Sequence, residues 1–285
     1  MYNIMNIYSA IKEGSKILKK KKIKFPDLDC EILIAKVLKK KRKYLILNLH
    51  KPINKKNFET YKDLINQRSN GKPIAYLTKK KEFWNSEFIV EEGALIPRPD
   101  TEVLIEATIA LFKNKDYANV LDVGAGTGCI ILSILKEKPY FYGKGIDLSS
   151  KSISLSKLNA KKLHLENRVK FIKTDVDNFC HGKYDLIISN PPYINSSKIK
   201  YLEKDVKNFE PKLALDGGLD GTFKILKIIE KAFTLLKSNG KLVLEIGYDQ
   251  KIKTIGLLKK RGFYINNVIK DYANNDRCVI STKIN

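Results

Sequence analysis

The chain has 285 residues, 43% of them hydrophobic, with 54 Lys and Arg against 31 Asp and Glu for a formal charge of +23. That length suits one large domain or two of ordinary size, and that apolar content excludes disorder as the main state. No stretch approaches the roughly 18 apolar residues of a membrane span, and Met1–Ile7 is not followed by a signal-peptide core, so a cytoplasmic protein without membrane contact is expected.

Residues 1–90 carry 22 Lys and Arg against 8 Asp and Glu, a balance of +14, whereas the remaining 195 carry +9. The runs Lys19–Lys22, Lys39–Lys43 and Lys79–Lys81 would suit phosphates or an acidic protein face. The excess of Lys over Arg, alongside many Ile and Asn, fits a biased genome equally well, so contact with nucleic acid or the ribosome is allowed but not required. Within this stretch Ser9–Lys22 and Asp27–Leu38 carry apolar residues at three- and four-residue spacing, which predicts helices. Pro26-Asp27 reads as a helix start. A third helix is predicted over Lys55–Ser69, ending near Asn70-Gly71. Residues 1–72 are thus expected to form a small helical domain.

Between 73 and 98 the pattern changes to Pro73-Ile74-Ala75-Tyr76-Leu77, then Glu82-Phe83-Trp84 and Glu87-Phe88-Ile89-Val90. This predicts a β-hairpin linker, with Trp84 in a packing role. Next comes Ile96-Pro97-Arg98-Pro99-Asp100-Thr101-Glu102, in which Asp100 or Thr101 is expected to cap a following helix. Capping does not account for Arg98, whose guanidinium on so stiff a backbone suits the wall of a binding cleft.

From Asn119 the rhythm is strand, helix, strand, with strands predicted at 119–123, 141–147, 169–174, 184–189, 241–246, 263–269 and 277–284. Helices fall between the first five, and 249–261 supplies another. The alternation predicts an open, mostly parallel α/β sheet over 99–285, with ligands at the carboxyl ends of its strands. The last two runs are close enough for a hairpin, which makes the final strand antiparallel. Cys30, Cys129, Cys180 and Cys278 form no Cys-x-x-Cys pair, and His50, His164 and His181 are scattered, so neither disulfides nor a metal is expected.

Val120–Val123 runs into Gly124-Ala125-Gly126-Thr127-Gly128, where glycines allow a tight turn and let a ligand lie against bare backbone. Alone, such a loop fits NAD, FAD or S-adenosylmethionine, and the spacing G-x-G-x-G departs from the dinucleotide fingerprint. Asp147 closes the second strand, where a carboxylate can accept from both ribose hydroxyls. Asp175 ends the third, where it can accept from an adenine amino group or serve nearly as well as a turn aspartate. The fourth strand, Tyr184–Ser189, stops at Asn190-Pro191-Pro192-Tyr193. Residues before proline are pushed into extended conformations, and proline lacks an N–H, so this corner offers the Asn190 side-chain oxygen and the Pro191 carbonyl to one planar NH2 group. Tyr193 follows as a flat face for stacking.

The order of glycine loop, acidic residue and Asn-Pro-Pro-Tyr resembles the Rossmann-like S-adenosylmethionine-dependent methyltransferases that modify exocyclic or amide nitrogens. Further segments narrow the choice: Pro73–Leu77, Glu82-Phe83-Trp84, Ile96–Glu102, Phe209-Glu210-Pro211 with Ala214-Leu215, Leu244-Glu245-Ile246-Gly247, and Asp271-Tyr272 before Asn275-Asp276-Arg277. Over about residues 70–285 these resemble the peptide chain release factor glutamine N5-methyltransferases, and the helical front end is similar to that family's release-factor-docking domain. The resemblance implies that Gly124–Gly128, Asp147 and Asn190 hold S-adenosyl-L-methionine, with Asp175 and Val176 beside its adenine. It also implies that Asn190-Pro191-Pro192-Tyr193, with Arg98 nearby, holds the glutamine of the Gly-Gly-Gln motif of class I release factors. Two positions depart from the family pattern: Lys79 stands where a glycine is usual, and Val176 where an aromatic residue is common. A monomer is expected, although the sequence leaves the oligomeric state open. An adenine-N6 nucleic-acid methyltransferase is the alternative, weakened by the absence of a target-recognition region after the tetrapeptide. A binding protein without turnover is weakened by the intact glycine loop and Asn190.

Overall fold

The computed structural model describes residues 5–284. Residues up to Lys80, together with Glu203–Phe209, form one compact unit, and Lys81–Leu202 with Glu210 onward form a second.

The first unit is built from amphipathic helices. Helix α1 (Ile7–Lys20) starts at Asn6, whose side chain accepts the Ser9 N–H at 2.8 Å, and α2 (Pro26–Val37) starts on a proline at its first turn. Helix α3 (Arg42–Leu47) follows, then α4 (Lys55–Ser69), capped by Asn54 through the Asn57 N–H. Their apolar faces meet around Leu18, Leu33, Ile34, Tyr61 and Ile65. Pro73–Leu77 is not part of a hairpin: Ile74–Thr78 forms a short helix, α5, closed by the Thr78 hydroxyl donating to the Ile74 carbonyl at 2.9 Å. A short apolar run carries no period to separate strand from turn, and Pro73 at the N-cap decides for the helix. Lys79 ends it at φ 60°, the left-handed conformation that explains why a glycine suits this position. Helix α9, Lys204–Phe209, lies far along the sequence yet joins this unit, where buried Arg68 bonds Asp29 at 2.6 Å and Asp205 at 3.3 Å.

In the second unit a hairpin of β1 (Lys80–Phe83) and β2 (Ser86–Ile89) turns on Trp84 and Asn85, both at positive φ, the conformation of a two-residue turn that follows strand twist. Helix α6 (Glu102–Leu111) leads to the sheet: β3 (Asn119–Val123), α7 (Cys129–Glu137), β4 (Tyr142–Asp147), α8 (Ser150–Lys162), β5 (Val169–Lys173) and β6 (Tyr184–Ser189). After α9 come α10 (Phe223–Leu235), β7 (Leu236–Glu245), α11 (Lys251–Arg261), β8 (Phe263–Lys270) and β9 (Asp276–Lys283). The strand order is β5-β4-β3-β6-β7-β9-β8, and β9 pairs antiparallel with both neighbours, as the close spacing of the last two runs requires. Strand β7 begins five residues before its predicted start because Leu236 already pairs with Tyr184 ahead of a register shift. One sheet face packs on α6, α7 and α8 through Leu104, Ile131 and Ile153, the other on α10 and α11 through Ile229 and Leu258. The chain winds outward in opposite directions from β3 and β6, and a cleft lies at their carboxyl ends, where such sheets bind ligands.

Candidate active site

Three glycines at φ 78°, 56° and 79° (Gly124, Gly126 and Gly128) carry β3 through a tight loop into α7. The loop is pinned to β4: the Gly124 and Ala125 N–H groups donate to the Ile146 carbonyl, and Gly126 N–H donates to Asp147 Oδ2 at 2.9 Å. Asp147 Oδ1 accepts from the Ser149 N–H at 2.8 Å. Burial pushes the Asp147 carboxyl above its ordinary value, opposed by these two N–H groups and by Ser152. Asp175 lines the same cleft, and its side chain caps a 3₁₀ turn at Val176–Asn178 by accepting the Asp177 N–H at 2.9 Å, the turn-aspartate reading. Ala125, Thr127 and Val176 line the cleft as well.

Beneath the loop sits Asp122, fully buried, with no hydrogen-bond partner for either oxygen among the described residues; only the Ile131 backbone gives it electrostatic support. Burial pushes its carboxyl up to about 7.

At the other end of the cleft, β6 delivers Asn190, Pro191 and Pro192 to the rim. Asn190 Nδ2 donates to Thr101 Oγ1 at 3.1 Å, and the Thr101 hydroxyl donates to Glu245 Oε2 at 2.7 Å. With its NH2 edge committed to Thr101, Asn190 has its Oδ1 left as acceptor. Thr101 caps no helix; neither does Asp100, because Pro99–Thr101 is a 3₁₀ turn that flows into α6 without a side-chain cap. Tyr193 is not among the residues lining the cleft. Its ring packs on the apolar layer of the sheet and its hydroxyl donates to Glu245 Oε1 at 3.1 Å, so the Pro-Pro corner turns it inward rather than outward. Arg98 does line the cleft, held by Glu210 Oε1 at 2.5 Å, and Pro211 and Ala214 follow Glu210 along the same wall. Thr101 lines the cleft, with Glu245 and Arg277 behind it, and sequence reasoning gives none of the three a role there beyond a helix cap at Thr101. Their signal lay in the segments Ile96–Glu102, Leu244–Gly247 and Asn275–Arg277, which resemblance marks but spacing alone does not explain.

Residues 100–270 match the methyltransferase small domain, and residues 9–78 match the PrmC N-terminal domain. The chain is 38% identical over 287 residues to a release factor glutamine methyltransferase of Clostridium acetobutylicum, covering 98% of this chain and 99% of that one. A release factor glutamine methyltransferase of Buchnera aphidicola subsp. Baizongia pistaciae is also 38% identical, over 98% of this chain and all (100%) of that one. The chain belongs to the release factor glutamine methyltransferase family. A solved methyltransferase from Pyrococcus furiosus shares the fold alone, with a TM-score of 0.55 at 17% identity over 77% of this chain and 99% of that one.

As a release factor glutamine methyltransferase family member, the chain is an enzyme that uses S-adenosyl-L-methionine. The cleft fits that molecule. A Cβ built on Gly124 would meet nothing within 4 Å, so bare backbone faces open space there, and Asp147 brings a carboxylate beside it for hydroxyl donors.

Proposed function

We propose that this enzyme methylates the side-chain nitrogen (N5) of the glutamine in the Gly-Gly-Gln motif of class I peptide chain release factors, and that its helical unit docks the factor. It acts as a monomer. The observation that carries the reading is the commitment of the Asn190 NH2 edge to Thr101, which leaves a carbonyl-type oxygen at the end of β6 in the cleft that the glycine loop and Asp147 also line.

When bound, S-adenosyl-L-methionine supplies an electrophilic methyl group. Gly124–Gly128 and Asp147 would hold it, with Asp175 and Val176 on the side of its base. A primary amide nitrogen is a poor nucleophile because its lone pair is delocalised into the carbonyl. Asn190 Oδ1 and the Pro191 carbonyl accept both of its N–H groups, which favours a pyramidal nitrogen and frees that lone pair. As positive charge develops on nitrogen the same oxygens stabilise it, an effect of roughly 3–4 kcal/mol per group for preorganised dipoles. Alignment within the cleft supplies much of the rest. Arg98, held by Glu210, stiffens the opposite wall. The alkylated nitrogen is acidic enough to lose its proton to water, so no side chain is needed as base.

The test offers the enzyme methyl-labelled cofactor with native release factor and, in parallel, with DNA. Label on the motif glutamine is the expected result. No label on native factor would refute the proposal, and label on adenine would replace it with nucleic-acid methylation.

A further inference from the structure

We propose that Glu245, acting through Thr101, is a positioning residue that sets the direction of the hydrogen-bond chain ending at Asn190 and so keeps the Asn190 oxygen turned toward the cleft. This rests on the role given to Asn190 above.

A side-chain amide has two nearly isosteric orientations, and the chemistry needs only one of them. Thr101 selects it. A hydroxyl has one proton to give, and at 2.7 Å the Thr101 proton goes to Glu245 Oε2. Its lone pairs must then accept, and the group facing them at 3.1 Å is Asn190 Nδ2. Reversing the amide would set two oxygens against each other. The direction of the chain is therefore imposed by its last member, an acceptor-only carboxylate. Glu245 is itself fixed: it is 1% exposed, and its other oxygen accepts from Tyr193 at 3.1 Å. Arg277 stands behind Tyr193, donating to its hydroxyl at 3.4 Å and to the Ile246 carbonyl at 3.1 Å, while bonding Asp271 at 2.9 Å.

A protonated Glu245 loses this control, because it becomes able to donate to Thr101 and the hydroxyl is released to turn toward Asn190. Burial favours that proton and pushes the carboxyl up to about 7, with Thr101, Arg277 and Tyr193 opposing and Asp100 reinforcing. Cys129 and Cys278 face it from α7 and β9. The glycine loop and Asp147, assigned to the cofactor above, bond to one another and to the Ile146 carbonyl and Ser149 N–H and take no part in this chain of bonds.

The experiment compares wild type, Thr101→Val, Thr101→Ser, Glu245→Gln and Asn190→Ala for kcat against pH, cofactor Kd by calorimetry, and the side-chain amide nitrogen-15 signals of Asn190, assigned by their loss in Asn190→Ala. Wild-type kcat is expected to fall as pH drops through about 7, with the Asn190 signals moving over the same range. Thr101→Val should lower kcat by about tenfold or more, leave cofactor Kd unchanged and freeze the signals, whereas Thr101→Ser restores both. Glu245→Gln should flatten the pH profile and the signal titration together. Should Glu245→Gln fail to fold, the Val and Ser pair still decides. Wild-type kcat and a moving signal in Thr101→Val, with Asn190→Ala inactive, would overturn the inference alone. Full activity of Asn190→Ala would instead overturn the reading on which it rests.

Discussion

The two ends of the cleft are made differently. The end at β3, β4 and β5 is backbone architecture, in which positive-φ glycines and strand ends pin one another over short sequence distances, as Gly126 and Asp147 do across 21 positions. The end at β6 is a relay of side chains drawn from remote segments: Asn190 to Thr101 spans 89 positions, Thr101 to Glu245 spans 144, and Tyr193 to Glu245 spans 52. A site that must accommodate a cofactor shared by many folds' worth of chemistry can be built from bare backbone. A site that must hold one amide the right way round needs side chains whose donors and acceptors are fixed by others, and that requires distant residues to meet in a dry interior.

Substitutions can separate the two ends. The largest effect is expected at the relay's outer anchor: Arg277→Met takes two charged hydrogen bonds from Asp271, which keeps those from Ala273 and Asn275, and should lower unfolding stability by about 2–3 kcal/mol, read by denaturant titration. Asp147→Ala should act on cofactor alone, raising its Kd about 10- to 100-fold while kcat at saturation stays close to wild type, which calorimetry and saturation kinetics check. Gly145→Ala probes the backbone-built end directly. Its Cβ would fall 2.6 Å from the Phe171 ring and 3.0 Å from Ala125, so β4 must shift, costing roughly 1–3 kcal/mol of stability and weakening cofactor binding. The smallest effect is a slope. Folded Asp122 keeps its proton up to about 7 against an ordinary 3.8, so between those values the folded chain binds more protons than the unfolded one and loses stability as pH rises. Asp122→Asn should remove up to about 1.4 kcal/mol per pH unit of that decline in cofactor-free enzyme. An unchanged slope would mean that Asp122 is not the carboxyl being titrated.

Legibility in the sequence follows the same division. Strands β3 and β6 fall where their apolar runs predict them, and β4 and β5 differ by a single terminal residue. The antiparallel β9 follows from the shortness of the loop before it. The glycine loop and Asp147 are readable because strand, turn and carboxylate lie within one local pattern. Helix α5 is not legible because five residues with Ala75, Tyr76 and Leu77 all buried show no helical face. Helices α3 and α9, six residues each, are too short for a period to register. Thr101 reads as a cap because Ser, Thr, Asp and Asn before a helix usually are one. Its true partner is 144 residues away, and no local rule reports on that. The inward turn of Tyr193 is not legible either, because the two prolines before it fix the chain's direction without specifying on which side of the corner its ring falls.

The most direct test of the account is methyl transfer by Asn190→Ala to native release factor, with cofactor affinity measured on the same preparation. The account predicts a kcat lowered by roughly 100- to 1000-fold with cofactor Kd within a few-fold of wild type. Wild-type turnover, or a loss explained wholly by weakened cofactor binding, would contradict it.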